Sequence, residues 1–185
     1  MRRNLIRVSG LAALACAAAG LAAAQVSAQA PLPQSVTDSH KRFSMSFPAD
    51  WQIVTKPEGM IALLAAGPAQ AGYRPTINVV VEPLSQTMSP EAYATAANRL
   101  AKVTFHNYTV VQEAGVTVAG QPAYYRYFTW ETNTGVTLYQ LQVYFTNGPT
   151  GFVVTGSTRN DSARLREDTT LFTQIIGTFR LGGPG

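Results

Sequence analysis

The sequence predicts an α+β domain in which a twisted antiparallel β-sheet packs against two main helices. Three observations support this fold class. Short segments alternate apolar and polar residues, two longer segments carry apolar residues at helical spacing, and the order is strands, helix, strands, helix. The last strands are joined by short turns, which is typical of an antiparallel meander. The chain has 185 residues, the size of one domain with little left over.

Residues 1–28 have the features of a secretory signal peptide. Three arginines within the first seven residues precede an uncharged Ala/Leu-rich run over 8–24, and small residues follow it. This run is short for a helix that spans a membrane. We therefore predict cleavage after Ala24 or Ala28 and no stable membrane insertion once the leader is removed.

The leader also indicates where the protein is located. Export by the general secretory route predicts a periplasmic protein, and the Arg2-Arg3 pair leaves the twin-arginine route open. A lipid anchor at Cys16 is disfavoured, because the apolar run continues past this residue and the usual lipoprotein box is incomplete.

Loss of the leader changes the charge of the chain. It removes three of the 14 basic residues and leaves 11, against ten acidic ones. A nearly neutral domain has no broad positive field, so nucleic acid is not an expected partner. The only cysteine is also lost, so no disulfide can form in the mature protein.

The domain proper is predicted over 42–181, after a polar, Pro-rich flexible arm over 29–41. Its opening strand, Phe43–Phe47, alternates apolar residues with serines. Pro48 begins a turn, and a return strand from Trp51 is expected to complete a hairpin. Two further strands are predicted over 60–66 and 75–84.

The first helix is predicted to begin at Ser89-Pro90-Glu91, which supplies a capping hydroxyl, a proline in the first turn and an acid near the positive end of the helix dipole. An apolar stripe at helical spacing is expected to face the core. Its members are Tyr93, Ala97, Leu100 and Val103.

Strands follow the first helix over 108–114 and 116–119, before a tight turn at Gly120. A long aromatic strand over 122–132 turns back into 136–147, and 152–157 is the last long strand. The hairpin 122–147 is expected to supply the middle of the sheet.

The final helix is predicted to be capped by Asn160 or Asp161. Its core-facing stripe runs from Leu165 to Phe179, and its charged residues, including Asp168, are placed on the outside. Residues 182–185 are predicted to be a disordered tail.

In the order and spacing of its motifs, the chain resembles the PsbP-like superfamily, which includes the DcrB-type periplasmic proteins and the eukaryotic Mog-type Ran-binding proteins. The resemblance covers about residues 41–181 and implies an αβα sandwich that serves as an accessory or adaptor protein without established catalysis. The motifs are Phe43-Ser-Met-Ser-Phe47-Pro48-x-x-Trp51, Ile77–Glu82, Ser89-Pro90-Glu91, Gly120–Tyr124, Leu138–Tyr144 and Ile175–Phe179.

The residues themselves indicate no catalytic or metal site. The chain has two histidines, His40 and His106, which are interpreted as solvated or helix-capping. A metal site needs three or more ligands at suitable spacing. No serine elbow motif or mature-chain thiol is present, and nothing pairs the strand carboxylates. We therefore predict no cofactor and no enzymatic activity, with a hydrolase as the weakest alternative.

The aromatic hairpin carries the distinctive composition of the chain. Period-two alternation puts Tyr124, Phe128 and Trp130 on one side, with Tyr125 and Tyr127 on the other. One interpretation is cross-strand aromatic packing that stabilises the sheet. The other is a partly exposed surface that binds a protein or a sugar. The candidate binding residues are Tyr124, Tyr125, Arg126, Tyr127, Trp130, Tyr139 and Tyr144.

Together these observations predict an exported, non-catalytic accessory protein of the cell envelope that binds a protein partner. The alternative is a periplasmic carrier of a small apolar or sugar-like ligand between the sheet and a helix, or on the aromatic face. The sequence specifies neither the identity of the partner nor the oligomeric state.

Overall fold

A computed structural model describes residues 30–54, 59–70 and 72–182. The predicted signal peptide and the last three residues of the predicted tail lie outside these residues. The strands are β1 (Gln34–Thr37), β2 (Phe43–Phe47), β3 (Gln52–Val54), β4 (Ile61–Ala66), β5 (Thr76–Pro83), β6 (His106–Val118), β7 (Gln121–Glu131), β8 (Thr137–Asn147), β9 (Thr150–Arg159) and β10 (Arg180–Leu181). The helices are α1 (Pro90–Thr104) and α2 (Leu165–Gly177).

Within the described residues the strands form two antiparallel sheets. The large sheet has seven strands in the order β3-β4-β5-β9-β8-β7-β6, and the small one has the order β1-β2-β10. Helix α1 packs on one face of the large sheet, while α2 and the small sheet cover the other. The predicted α+β class with two helices and an antiparallel sheet is confirmed.

Strand β9 is the centre of the large sheet and is buried along almost its whole length. Two glycines let the helices approach it from opposite faces. A Cβ atom at Gly151 would lie 2.7 Å from the Tyr93 ring of α1, and one at Gly156 would lie 2.6 Å from the Phe172 ring of α2. The prediction that the 122–147 hairpin forms the middle was wrong, because β7 and β8 lie between β9 and the edge strand β6.

The predicted hairpin of the opening stretch is also wrong. Strand β2 pairs with β1 and β10, whereas β3 pairs with β4 in the large sheet. The turn at Pro48 carries the chain from one sheet to the other, with the Trp51 amide donating to the Pro48 carbonyl at 3.2 Å. Phe47 and Trp51 still meet in one core, their ring centroids 6.0 Å apart. Alternation identified both strands but did not distinguish pairing within a sheet from packing between sheets.

The flexible arm predicted over 29–41 is wrong for residues 34–37, which form β1. Asp38 organises the turn into β2. Its carboxylate accepts hydrogen bonds from the Arg42 side chain at 2.7 and 3.0 Å and from the backbone amides of His40 and Arg42. The turn also contains Lys41 with a φ of 57°. The polar, Pro-rich segment can form a strand here because the buried Asp38 carboxylate accepts the hydrogen bonds of the turn that follows it.

We expect Asp38→Asn to lower the free energy of unfolding by about 1–2 kcal/mol at neutral pH, since charge-assisted hydrogen bonds are lost. Burial raises the pKa of the Asp38 carboxyl, but the hydrogen bonds and charge of Arg42, with the amide of His40, outweigh it and hold that pKa below its ordinary value. A depressed folded-state pKa stabilises the protein above the unfolded-state pKa, and this stability is lost as the pH falls through the folded-state pKa. Urea unfolding at several pH values should show the difference between variant and wild type shrinking in acid. A constant difference would contradict the assignment.

Helix α2 also differs from its prediction at its start. Arg164 occupies the N-cap position without a side-chain cap, while Asp161, one of the two predicted caps, pairs with Arg159 at 2.6 Å. Asp168, expected on the outside, is buried and accepts a hydrogen bond from Thr158 at 2.6 Å. The core side of α2 is formed as predicted by Phe172 and Ile176, joined by Ile175.

Candidate functional site: the groove beside helix α1

Helix α1 begins where the sequence predicts it. Ser89 is the N-cap, and its hydroxyl accepts a hydrogen bond from the Ala92 amide at 3.2 Å. The first turns are fixed by Tyr93 and Ala94, which are buried against the large sheet. Because α1 crosses β6, β7 and β8, it covers half of its sheet face and leaves the half formed by β5 and β9 beside it.

A row of polar side chains crosses this face of the sheet, from the uncovered strands to those beneath α1. Asn78, Thr155, Gln142, Arg126 and Glu113 lie side by side in register across β5, β9, β8, β7 and β6. The Gln142 amide donates to the Thr155 hydroxyl at 3.3 Å, and its carbonyl accepts from the Tyr144 hydroxyl at 2.5 Å. One row further along, the Gln140 amide donates to Ser157 at 3.1 Å. The side chains of Gln140, Gln142 and Thr155 thus have hydrogen-bond partners within the sheet itself.

Between α1 and the β5–β9 half of this face runs a cleft of about 680 Å³, which we call the α1 groove. The helix forms an apolar wall, and the sheet forms a floor of both polar and apolar side chains. The wall and one end consist of Leu84, Met88, Ala96, Ala97, Leu100, Ala101 and Phe105, and the floor of Asn78, Gln140, Gln142 and Thr155 together with Ile61, Val80 and Val153. Small-molecule and peptide sites in proteins have volumes in this range.

The apolar stripe predicted for α1 reaches the core only at its start. Tyr93 is 4% exposed, but Leu100 is 67% and Val103 81% exposed. The groove beside the second half of the helix has Gln140 and Gln142 on its floor, and the apolar Phe128 near the helix end packs with Phe105 and Tyr108. Leu100 instead lines the α1 groove, which leaves the groove with an uncovered apolar rim.

Arg126 of β7 links α1 to the large sheet through hydrogen bonds. It is 2% exposed, and its Nε donates to a Glu113 carboxylate oxygen at 2.7 Å. Its Nη1 donates to the Ala94 carbonyl at 3.1 Å and lies 3.5 Å from the Tyr144 hydroxyl. A buried guanidinium is tolerated here because its donors are paired with a carboxylate and a helix carbonyl.

Tyr93 and Glu82 close the end of the groove near the start of α1. The Tyr93 hydroxyl donates a short hydrogen bond to Oε1 of Glu82, and both residues line the groove. Burial raises the pKa of the Tyr93 hydroxyl, and the Glu82 carboxylate raises it further. Burial likewise raises the pKa of Tyr144. Both phenols therefore remain protonated and act as hydrogen-bond donors, not as bases.

The structure divides the seven predicted site residues between two faces of the large sheet. Tyr124, Arg126, Trp130 and Tyr144 face α1, whereas Tyr125, Tyr127 and Tyr139 face α2. The rings therefore do not form one surface, since alternation sends neighbours in a strand to opposite sides. Of the seven, Tyr144 lines the α1 groove.

Trp130 stacks on Phe105 just after α1, with ring centroids 4.6 Å apart. Its buried Nε1 has no hydrogen-bond partner among the described residues. On the opposite face, Tyr125 and Tyr127 line a second depression of about 400 Å³ beside α2. There the Gln112 amide donates to the Tyr125 hydroxyl at 2.6 Å. The aromatic residues thus pack mainly against neighbours, as the cross-strand interpretation expects.

Residues that the sequence analysis did not select form the floor of the groove. Asn78, Gln140, Gln142 and Thr155 occupy alternate positions of strands whose other positions are apolar and buried. This polar alternation in β8 and β9 was a usable signal for a face without a covering helix. Glu82, which ends the Ile77–Glu82 motif, is not among the binding residues that the sequence predicts.

The two histidines lie apart from each other and outside the α1 groove. His106 starts β6 and does not cap α1; its Nδ1 lies 3.9 Å from a Glu131 carboxylate oxygen, outside the groove. His40 lies in the turn after β1, with its Nδ1 3.2 Å from the Ser39 hydroxyl. In the part of the chain that the structure describes, no group of three His, Cys, Asp or Glu side chains could hold a metal ion.

None of the helices over 30–54, 59–70 and 72–182 is long and apolar enough to cross a membrane.

Comparison with known proteins identifies the family. The family model described as DcrB matches residues 44–176, more than two-thirds of the chain. A comparison with curated proteins finds no match.

Several solved structures share the fold. Cyanobacterial PsbP (CyanoP) from Synechocystis sp. PCC 6803 has a TM-score of 0.61 at 14% identity, over 87% of this chain and 98% of that one. LpqN of Mycobacterium tuberculosis, described as involved in cell envelope biogenesis, has a TM-score of 0.58 at 16% identity, over 76% and 83%. The Ran-binding protein Mog1p of Saccharomyces cerevisiae has a TM-score of 0.57 at 10% identity, over 80% and 94%. At these identities the similarity establishes the fold.

The family match over residues 44–176 shows that the chain belongs to the DcrB family.

Proposed function

We propose that this protein is an exported, non-catalytic accessory protein of the cell envelope that binds a protein partner in the α1 groove. The observation that carries the proposal is the uncovered wall of α1, where Leu100 is exposed beside a floor of polar and apolar side chains. Such a cleft matches a segment that has one apolar face and one polar face. The family match and the envelope role printed for LpqN support the location.

We propose no reaction for the groove, because the side chains that line it are suited to binding. They include two tyrosines held as protonated donors, one carboxylate engaged by Tyr93, and amides and hydroxyls. None of these is paired with a base in the manner of an activated nucleophile. Amides and hydroxyls recognise hydrogen-bonding partners, which is the chemistry of a binding surface.

Site-specific crosslinking tests the proposal. A photo-reactive amino acid placed at Leu100 in the groove should give a discrete covalent adduct with another envelope protein in living cells of the native host. The same amino acid at Thr170, exposed in α2 on the opposite face of the large sheet, is the matched control. The Leu100 adduct should disappear when Ala97→Arg fills the groove. Adducts at Thr170 only, or none at Leu100, would overturn the proposal.

A carrier of a small amphiphilic ligand is the second candidate, because the groove volume of about 680 Å³ suits one. A sugar held by ring stacking is disfavoured, since Tyr93 is 4% and Tyr144 1% exposed and neither offers a free ring face. Native mass spectrometry of the purified protein distinguishes the candidates. A bound small molecule that Ala97→Arg removes would favour the carrier.

A further inference from the structure

The α1 groove has an unbalanced charge. Among the side chains that line it within the described residues, Glu82 carries the sole formal charge. The basic residues of α1, Arg99 and Lys102, do not line the groove. Any segment that enters the groove therefore meets one negative group, at the end near the start of α1.

The geometry leaves one oxygen of this carboxylate available. Oε1 of Glu82 accepts the hydrogen bond from Tyr93, while Oε2 has no hydrogen-bond partner among the described residues. In the adjoining strand Glu82 stands opposite Gly151. A Cβ at that glycine would lie 2.7 Å from the Tyr93 ring, so the glycine gives the ring the space from which its hydroxyl reaches Glu82. The carboxylate is thus held in a fixed orientation.

Apolar side chains surround this end of the groove. Leu84 and Met88, both partly buried, lie on the connection between β5 and α1, and Leu100 lies further along the helix. A charged group that enters such surroundings loses water, and a carboxylate already in place offsets that cost when the charge is positive. An anionic group would meet repulsion at the same point.

We propose that the segment bound in the α1 groove carries a lysine or arginine that pairs with Oε2 of Glu82, next to apolar residues that cover Leu84, Met88 and Leu100. This rests on the proposed function and specifies the chemistry of the partner. The basic residue fixes the direction of the bound segment, because the groove offers a charge at one end and not at the other.

Selection from a displayed library of random peptides tests the pairing. Wild-type protein and the Glu82→Gln variant are used in parallel, and Glu91→Gln is the control, since Glu91 is an exposed acid of α1 outside the groove. Peptides selected on wild type and on Glu91→Gln should be enriched in one basic residue next to apolar ones. Peptides selected on Glu82→Gln should lack that enrichment.

Affinity measurements with one selected peptide complete the test. Replacing its basic residue with norleucine should weaken binding to wild type by about 2- to 5-fold at low salt, as expected for a partly exposed ion pair. The same replacement should have no effect on binding to Glu82→Gln, and the ratio should shrink as salt is added.

The outcomes separate the two proposals. If selected peptides are lost on Ala97→Arg but show no basic preference, or bind Glu82→Gln equally well, the ion pair is overturned and the groove remains the binding site. If no peptide is selected, or the selected peptides still bind Ala97→Arg, both the groove proposal and this inference fail.

Discussion

Replacing Phe179 with alanine is expected to lower the free energy of unfolding by about 3–5 kcal/mol, the usual cost of deleting a fully buried aromatic ring. Phe179 is fully buried in the main core. Its ring stacks on Phe145 of β8 at 4.5 Å and on Phe43 of β2 at 5.4 Å. It therefore joins the small sheet to the large one at the end of α2.

Urea unfolding followed by tryptophan fluorescence measures this loss, since Trp51 is buried in the same core. The matched control is Leu100→Ala, which removes an exposed apolar side chain and should change the free energy of unfolding by less than about 0.5 kcal/mol. A loss at Phe179 of no more than about 1 kcal/mol would show that the two sheets do not depend on this ring.

Replacing Arg126 with methionine is expected to destabilise the protein by about 2–4 kcal/mol. Methionine removes the hydrogen bonds that Arg126 donates to the Ala94 carbonyl and to the Glu113 carboxylate, whose side chain is 35% exposed. The loss should be concentrated in α1, because Arg126 joins the helix to the sheet. Amide hydrogen exchange should therefore speed up in α1 and much less in α2.

A second substitution isolates the cost of the orphaned carboxylate. Adding Glu113→Leu to Arg126→Met should restore part of the lost stability, since no charge then remains without a partner. Glu113→Leu alone should also destabilise, because it leaves the Arg126 guanidinium with its main partner removed. If Arg126→Met unfolds at the wild-type urea concentration, the ion pair does not hold the helix.

The order of the elements could be predicted from the sequence because each long strand and helix has a clear period. Ser89-Pro90-Glu91 located the start of α1, and the turn at Gly120 located the β6–β7 connection. Pairing across long distances was harder. The serines of β2 fit either sheet, and the pairing of β2 with β1 and β10 depends on contacts between residues far apart in the chain.

The candidate site was predicted less well, for a physical reason. Leu100 continues an apolar stripe, and a stripe indicates burial only if the facing surface is apolar. That surface is set by Gln140 and Gln142 of β8, some 40 residues later in the chain. The sequence predicts the aromatic residues as a possible binding surface. Large aromatic rings, however, are the side chains that packing against one another stabilises most.

The position of the small sheet determines through which ends the protein can be attached to a solid surface. Strands β1 and β10, at the two ends of the described chain, flank β2 on the side of α2. The α1 groove opens on the opposite side of the large sheet. A tag, tether or fusion partner joined before Gln34 or after Leu181 therefore attaches behind the groove. Protein immobilised through either end should present the groove to solution, which makes both ends suitable points of attachment for a biosensor.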